Sequence, residues 1–188
     1  MRLPIVKYGH PVLRAKGKRI GAVDARIREL AANMLETMHA ANGVGLAAQQ
    51  VGEAFQLTVV DISGVEDRPS TLTVAGKEID PVTAMPLVLV NPELELDGEI
   101  ISGTEGCLSF PEITAEIDRA HRVFLKAASL EGEAIEMEAS GLLARALQHE
   151  VDHLHGILFI DRMSSATKVS LGSRLKRMQK ETQGTLRG

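Results

Sequence analysis

The chain has 188 residues, of which 44% are hydrophobic and 24% charged, a length and balance that fit one soluble globular domain and exclude a disordered or low-complexity protein. The formal net charge of −4 argues against a dedicated DNA- or RNA-binding domain, and no apolar run approaches the roughly 20 residues that span a bilayer, so no membrane partner is expected. A single cysteine, Cys107, rules out an intrachain disulfide, and the N-terminus has no apolar signal-peptide core, so the expected location is cytoplasmic.

Residues 1–23 carry Pro4, Pro11, Gly9, Gly17 and Gly21 and read as an irregular arm. Asp24 then caps a helix whose apolar stripe is Ile27, Leu30, Ala31, Met34, Leu35 and Met38, with Gly43 expected as its C-terminal cap. "FQLTVVDI" (Phe55–Ile62) and "LVLVN" (Leu87–Asn91) have the β-branched, apolar character of buried strands. Between them, Ser63–Pro86 shows little periodicity and is expected to be a long, mobile loop. Asp97-Gly98 within "ELELDGEII" signals a hairpin, and "HRVFLKAASLEGEAIEMEA" (His121–Ala139) reads as two strands turning at Glu131-Gly132.

A second helix is expected over Gly141–His155, with Ser140 as N-cap and Gly156 just past its end. Its apolar residues, Leu142, Leu143, Ala146, Leu147, Val151 and Leu154, spread beyond one stripe, so it should be largely buried. A third helix is expected around Ala166–Lys180, in a basic tail. Arg162–Gly188 carries seven Lys/Arg against Glu181 alone, whereas the preceding 161 residues carry 14 basic and 24 acidic side chains. Such a tail suits a polyanionic neighbour; a solvated helix face explains it equally well. Strands in the middle and helices near both ends give an α+β class.

The chemistry lies in three stretches. In "LQHEVDHLHG" (Leu147–Gly156), His149 and His153 are four residues apart and stack on one helix face. Glu150 points to a neighbouring face, within reach of a water on an ion bound by the two histidines. This is the H-E-x-x-H pattern of two imidazole ligands and a general base. Polar groups on a buried helix need partners, since each left unpaired costs kcal/mol, and a metal would satisfy them; core histidines with ordinary hydrogen bonds are the opposing reading. A catalytic site needs a third ligand. His155 faces another side of the helix. Cys107, in "EGCLSFP" (Glu105–Pro111), is by default a small buried hydrophobe, but Gly103, Gly106 and Pro111 around it could present a thiolate to a facing helix. A Cys/His₂ set suits zinc, iron, nickel and cobalt. "GVGLAAQQVG" (Gly43–Gly52) lacks the Lys-Ser/Thr of a phosphate loop; its glycines permit close backbone approach, and Gln50 offers an amide N–H for developing negative charge. An endopeptidase of the H-E-x-x-H kind is the alternative function, though it would need a Glu or His third ligand. A closed structural zinc site would need a second cysteine, and there is none.

Assembled, the three stretches resemble the peptide deformylase family. Its motifs stand here in family order as Gly43-Val44-Gly45-Leu46-Ala47-Ala48-Gln49-Gln50, Glu105-Gly106-Cys107-Leu108-Ser109 and Gln148-His149-Glu150-Val151-Asp152-His153. "VKYGHPVLR" near the N-terminus is also similar, and the likeness covers most of residues 3–163; the length of Ser63–Pro86 departs from it. The resemblance implies mixed or antiparallel sheets packed around a central metal-binding helix, with residues 1–165 as the catalytic part and 166–188 as a basic helical tail. It implies removal of the formyl group from the formyl-methionine of newly made polypeptides, with Cys107, His149 and His153 as ligands of one divalent ion per chain. Ferrous iron is the expected native ion, with zinc, nickel or cobalt able to occupy the purified protein. Metal-activated hydroxide would attack the formyl carbon, with Glu150 as general base and acid. The Gln50 amide and the Leu108 backbone N–H would face the oxyanion. The Gly43, Val44 and Gly45 backbone would pair with the extended peptide. Arg119 resembles the family's arginine near that peptide, with Arg122 close enough to compete for the role. Asp152 and Glu105 are expected as supporting residues. The tail is expected to dock on the ribosome, where the substrate first exists.

Overall fold

The computed structural model describes all 188 residues, Met1–Gly188. Helix α1 (Ala25–Ala40) begins where the Asp24 carboxylate accepts the Ile27 N–H at 2.9 Å. It ends in a paired turn in which Asn42 N–H donates to His39 O and Gly43 N–H to Met38 O. The left-handed residue of that turn is Asn42, at φ 55°, so Gly43 is the residue after the cap rather than the cap itself. Its missing side chain matters for another reason: a Cβ there would lie 2.7 Å from Leu108 Cδ1.

Seven strands follow: β1 (Gly45–Ala47), β2 (Leu57–Val60), β3 (Ser70–Val74), β4 (Lys77–Ile79), β5 (Leu87–Cys107), β6 (Phe110–Ala128) and β7 (Ala134–Ser140). They form one antiparallel sheet in the order β1-β2-β5-β6-β7-β3-β4. The expected loop over Ser63–Pro86 is therefore corrected. Its centre is the β3–β4 hairpin, and Leu72, paired with Ala139 of β7, is fully buried in the core. The hairpin turns through Ala75 and Gly76, both at positive φ, without the Asn-Gly or Asp-Gly pair that marks such turns in sequence. The expected hairpin at Asp97-Gly98 is also corrected. β5 runs straight through it, and three steps from Asp97 to Ile100 face two steps from Arg122 to Ala120. Gly98, at φ 79°, is the left-handed residue of a bulge, a second use of the Asp-Gly signal. The chain actually reverses at Leu108–Ser109, where Cys107 pairs with Phe110.

Helix α2 (Gly141–Leu154) is buried over every residue from Leu142 to Leu154. Ser140 is its N-cap by position but makes no side-chain capping bond; its hydroxyl pairs with Thr71 instead. Gly156 takes the expected left-handed conformation, at φ 74°. The β2 segment has helices on both its faces, which explains its continuous apolar run. Leu57 and Val59 join the α1 core with Ile27, Met34 and Met38, while Val60 joins the α2 core with Leu143 and Leu147. Gln148 fixes α2 to β6 by accepting from Ala120 N–H and donating to Ala120 O. A third core, of Leu13, Phe110, Ile117, Phe159 and Met163, closes the tip of the β5–β6 ribbon.

Helix α3 (Ser165–Arg187) is longer than its apolar residues suggested and is capped by Ser164. Leu171, Leu175 and Met178 pack on the third core, whereas Val169 is 82% exposed and does not belong to that face. Arg174, Lys176, Arg177 and Lys180 are exposed. No helix is long and apolar enough to cross a membrane.

Candidate active site

The β5–β6 turn brings Cys107 against the face of α2 that carries the histidines. Donor atoms of Cys107, His149 and His153 all lie within 4.8 Å of one another. The two Nε2 atoms are 3.2 Å apart, and Cys107 Sγ is 3.4 Å from His153 Nε2. A tetrahedral ion with bonds of about 2.0–2.1 Å to nitrogen and about 2.3 Å to sulfur sets ligand separations of roughly 3.4 and 3.6 Å. The cluster therefore has the spacing and the donor chemistry of a three-ligand metal site.

The charges around it are arranged to favour that use. Burial pushes the His149 imidazolium toward losing its proton, but hydrogen bonds with the Cys107 side chain and Glu105 prevail and raise its pKa well above the ordinary value. Burial and the neighbouring His149 charge hold His153 well below it. A divalent cation would satisfy the lone pairs of all three donors together. Glu150 lies beside them, 4% exposed, with Oε2 lacking any hydrogen-bond partner. Burial pushes its carboxyl up to about 7, against the His149 charge, which lowers it. It lies so close to β1 that a Cβ on Gly45 would overlap Oε1, so the second glycine of the first motif makes room for the carboxylate.

Glu105 organises the other side. Its carboxylate accepts His149 Nδ1–H at 2.8 Å, Arg119 Nε and Nη2 at 2.9 Å each, and Arg145 Nη1 at 2.8 Å. Burial would raise its pKa, but the bonds from His149 and Arg119 outweigh burial and hold it well below the usual carboxylate range. Arg119 continues to Asp152 at 2.6 Å, and Asp152 also accepts from Arg162. This corrects the expected substrate contact of Arg119. Only 4% of Arg119 is exposed, and its guanidinium is used within the protein. Arg122 does not take the role either, since it pairs with Asp97 and Glu138 on the surface.

Gln50 sits in a short 3₁₀ turn after β1. Its Oε1 accepts Ala47 N–H at 2.9 Å, which orients Nε2 toward Cys107 Sγ at 3.5 Å and Ser109 Oγ at 3.3 Å. Leu108, at the ribbon turn, has its carbonyl held by Lys7 Nζ at 3.0 Å. The N-terminal arm bridges the first two motifs here: Val6 N–H donates to Gln50 O and Tyr8 N–H to Ser109 O. A groove of about 500 Å³ opens over the cluster, lined by Gly43, Val44, Gly45, Gln50, Cys107, Leu108, His149 and Glu150. β1 is the edge strand of the sheet, so the side of it away from β2 has no strand partner.

Sequence reasoning missed Arg145. Its guanidinium, besides binding Glu105, donates to Ile117 O and Ile101 O at 2.7 Å each, and it fits because Gly103 has no Cβ. The available signal was an arginine in the middle of an otherwise apolar, buried helix, since such a charge must find a partner.

The sequence profile of the polypeptide deformylase family matches residues 2–169. A peptide deformylase of Methylacidiphilum infernorum is 43% identical over 180 residues, covering 96% of this chain and 94% of the relative. That of Opitutus terrae is 43% identical over 185 residues, covering 97% and 95%. Among solved structures, a plant peptide deformylase superposes with a TM-score of 0.82 at 38% identity, covering 97% of this chain and 92% of the other. The Thermotoga maritima enzyme gives 0.74 at 38% identity, covering 87% and 99%.

Proposed function

Because this chain belongs to the polypeptide deformylase family, we propose that Cys107, His149 and His153 hold its divalent ion and that Glu150 moves the proton of the family's reaction. That reaction is metal-dependent hydrolysis of the N-formyl group on new polypeptides, with release of formate. The observation that carries the residue assignment is the convergence of the three donor atoms beside the unpartnered oxygen of Glu150.

A bound divalent ion supplies a nucleophilic water with its pKa lowered toward neutrality. The protein does the rest. Glu150 takes the proton of the attacking water and returns it to the departing amine, a task suited to a carboxyl whose proton affinity is raised by burial. Gln50, its amide oriented by Ala47 N–H, and the Leu108 backbone N–H donate to the oxygen that gains charge as the formyl carbon becomes tetrahedral. The peptide lies along the free edge of β1, pairing with the Gly43, Val44 and Gly45 backbone. The methionine side chain enters the apolar part of the groove, between Val44, Leu142 and Ala146.

Ferrous iron is the native ion in this reading. A thiolate ligand beside an open coordination position suits an oxidisable centre, and activity is expected to decay in air. Zinc, nickel and cobalt fit the same donors. Residues 1–165 act as the catalytic part in the cytoplasm, and the basic helix over 166–188 docks on the ribosome, with Arg174, Lys176, Arg177 and Lys180 facing its phosphates. The decisive experiment uses protein purified without oxygen, with metal content and formate release from formyl-Met-Ala measured on one sample. One equivalent of iron and air-sensitive turnover are expected. Equal, air-stable turnover by the zinc and iron forms would overturn iron, and a fully loaded protein that releases no formate would overturn the site.

A further inference from the structure

We propose that Arg68 is a specificity residue of the peptide groove and recognises a carboxylate on the third residue of the formylated chain. The inference rests on the deformylase reading and extends it to the substrate's sequence. Besides His149, three basic side chains, Lys7, Arg68 and Arg145, line the groove, and two of them are already engaged. Lys7 donates to Leu108 O, and Arg145 is bound by Glu105 and by strand carbonyls. Arg68 makes a single hydrogen bond, from Nη1 to Thr104 O at 3.3 Å, and has no carboxylate partner. Most of its five N–H donors are therefore free at the groove wall.

Its position fits the third residue. β5 lines the groove from Cys107 back to Thr104, three residues or about 10 Å at the rise of an extended strand. An extended peptide with its formyl carbon beside Cys107 has its third Cα a similar distance away, level with Thr104 and Arg68. Side chains alternate along such a peptide, so the first and third point to the same side. The first enters the wall formed by Leu142 and Ala146. Arg68 stands on that same side, because together with Leu142 and Arg145 it forms the partition between the groove and a second cavity of about 400 Å³. A guanidinium with free donors and no counter-ion there favours an anion, from either an acidic side chain or the C-terminal carboxylate of a short peptide.

The test measures kcat and KM for formyl-Met-Ala-Glu-amide, formyl-Met-Ala-Gln-amide and formyl-Met-Ala-Gln with a free carboxylate, using the wild type, Arg68→Ala and Arg68→Glu. The wild type is expected to favour the Glu amide over the Gln amide roughly two- to fivefold in kcat/KM, through KM, as a partly exposed ion pair allows. Arg68→Ala should abolish this preference and Arg68→Glu reverse it, both read as the Glu-to-Gln ratio of kcat/KM within each variant. A preference confined to the free-carboxylate peptide would assign the site to the chain terminus of short substrates. Equal Glu/Gln ratios in the wild type and Arg68→Ala would overturn the proposal while Gln-amide turnover leaves the deformylase reading standing. Absence of turnover on all three peptides would overturn both.

Discussion

Replacing Glu105 with glutamine removes one negative charge and keeps the shape of the side chain. In the native protein its carboxylate accepts four hydrogen bonds, from Arg119 twice, Arg145 and His149. An amide can accept on one atom only, and its N–H₂ would face the arginines. Arg119 retains Asp152, but Arg145 has no second carboxylate and keeps only strand carbonyls. Removing one partner of a buried pair costs about 3–5 kcal/mol, and these surviving bonds favour the lower end. For a chain of this length, about 3 kcal/mol corresponds to a fall in Tm of roughly 6–12 °C. Separately, His149 loses the anion on Nδ1 that fixes its ring, a change typically worth about 10- to 100-fold in metal affinity. Calorimetry of the metal-free and loaded forms, with competition by a chelator, reads the two effects apart. A Tm within 2 °C of the wild type (about 1 kcal/mol or less) and metal affinity within about threefold, short of the usual effect of losing such a partner, would refute the view that Glu105 orders this side of the site.

Glu150→Gln should keep the metal and lose about 10²–10⁴ in kcat, since the amide cannot shuttle a proton; steady-state formate release on loaded protein checks it, and a loss under about tenfold would contradict the role. Cys107→Ala should lose its ion on dialysis, because two imidazoles alone make a weak site; one retained equivalent with normal turnover would exclude the thiolate as a ligand. Changing Arg174, Lys176, Arg177 and Lys180 together to alanine leaves Leu171, Leu175 and Met178 packed, so turnover on a formyl dipeptide should be preserved. Ribosome co-sedimentation should weaken and lose much of its salt dependence, and unchanged binding at low salt would dispose of the docking role.

What the sequence disclosed was mainly local. The α1 stripe, the His149–Glu150–His153 spacing and the Gly132 turn each depend on residues within one or two turns of chain, where periodicity is readable. The failures involve partners far apart in sequence. Asp97-Gly98 serves a hairpin or a bulge equally well, and only the pairing of β5 with β6 decides between them. Arg119 was assigned to substrate because nothing local revealed that the same pairing, with Ile101 opposite, would turn its side chain inward to Glu105 and Asp152. β3 was overlooked because Ser70, Thr71 and Thr73 dilute its one core residue, Leu72, and because its turn residues are atypical. Arg145 stayed hidden because its partners come from two strands, β5 and β6, distant in sequence from α2.

The three proposed ligands also differ in when they are made. Cys107 stands at a two-residue reversal, and a hairpin of that kind forms in about 1–10 µs. His149 and His153 follow it by about 40 residues, which at roughly 5–20 residues per second is several seconds of synthesis. For that interval the thiol emerges without either of its two proposed imidazole partners. With these three residues as ligands, capture would wait for α2 to dock, and the metal would enter a nearly complete chain and tie an early ribbon to a late helix. A chain halted before Gln148 should accordingly emerge from dialysis without bound metal, whatever the ion supplied.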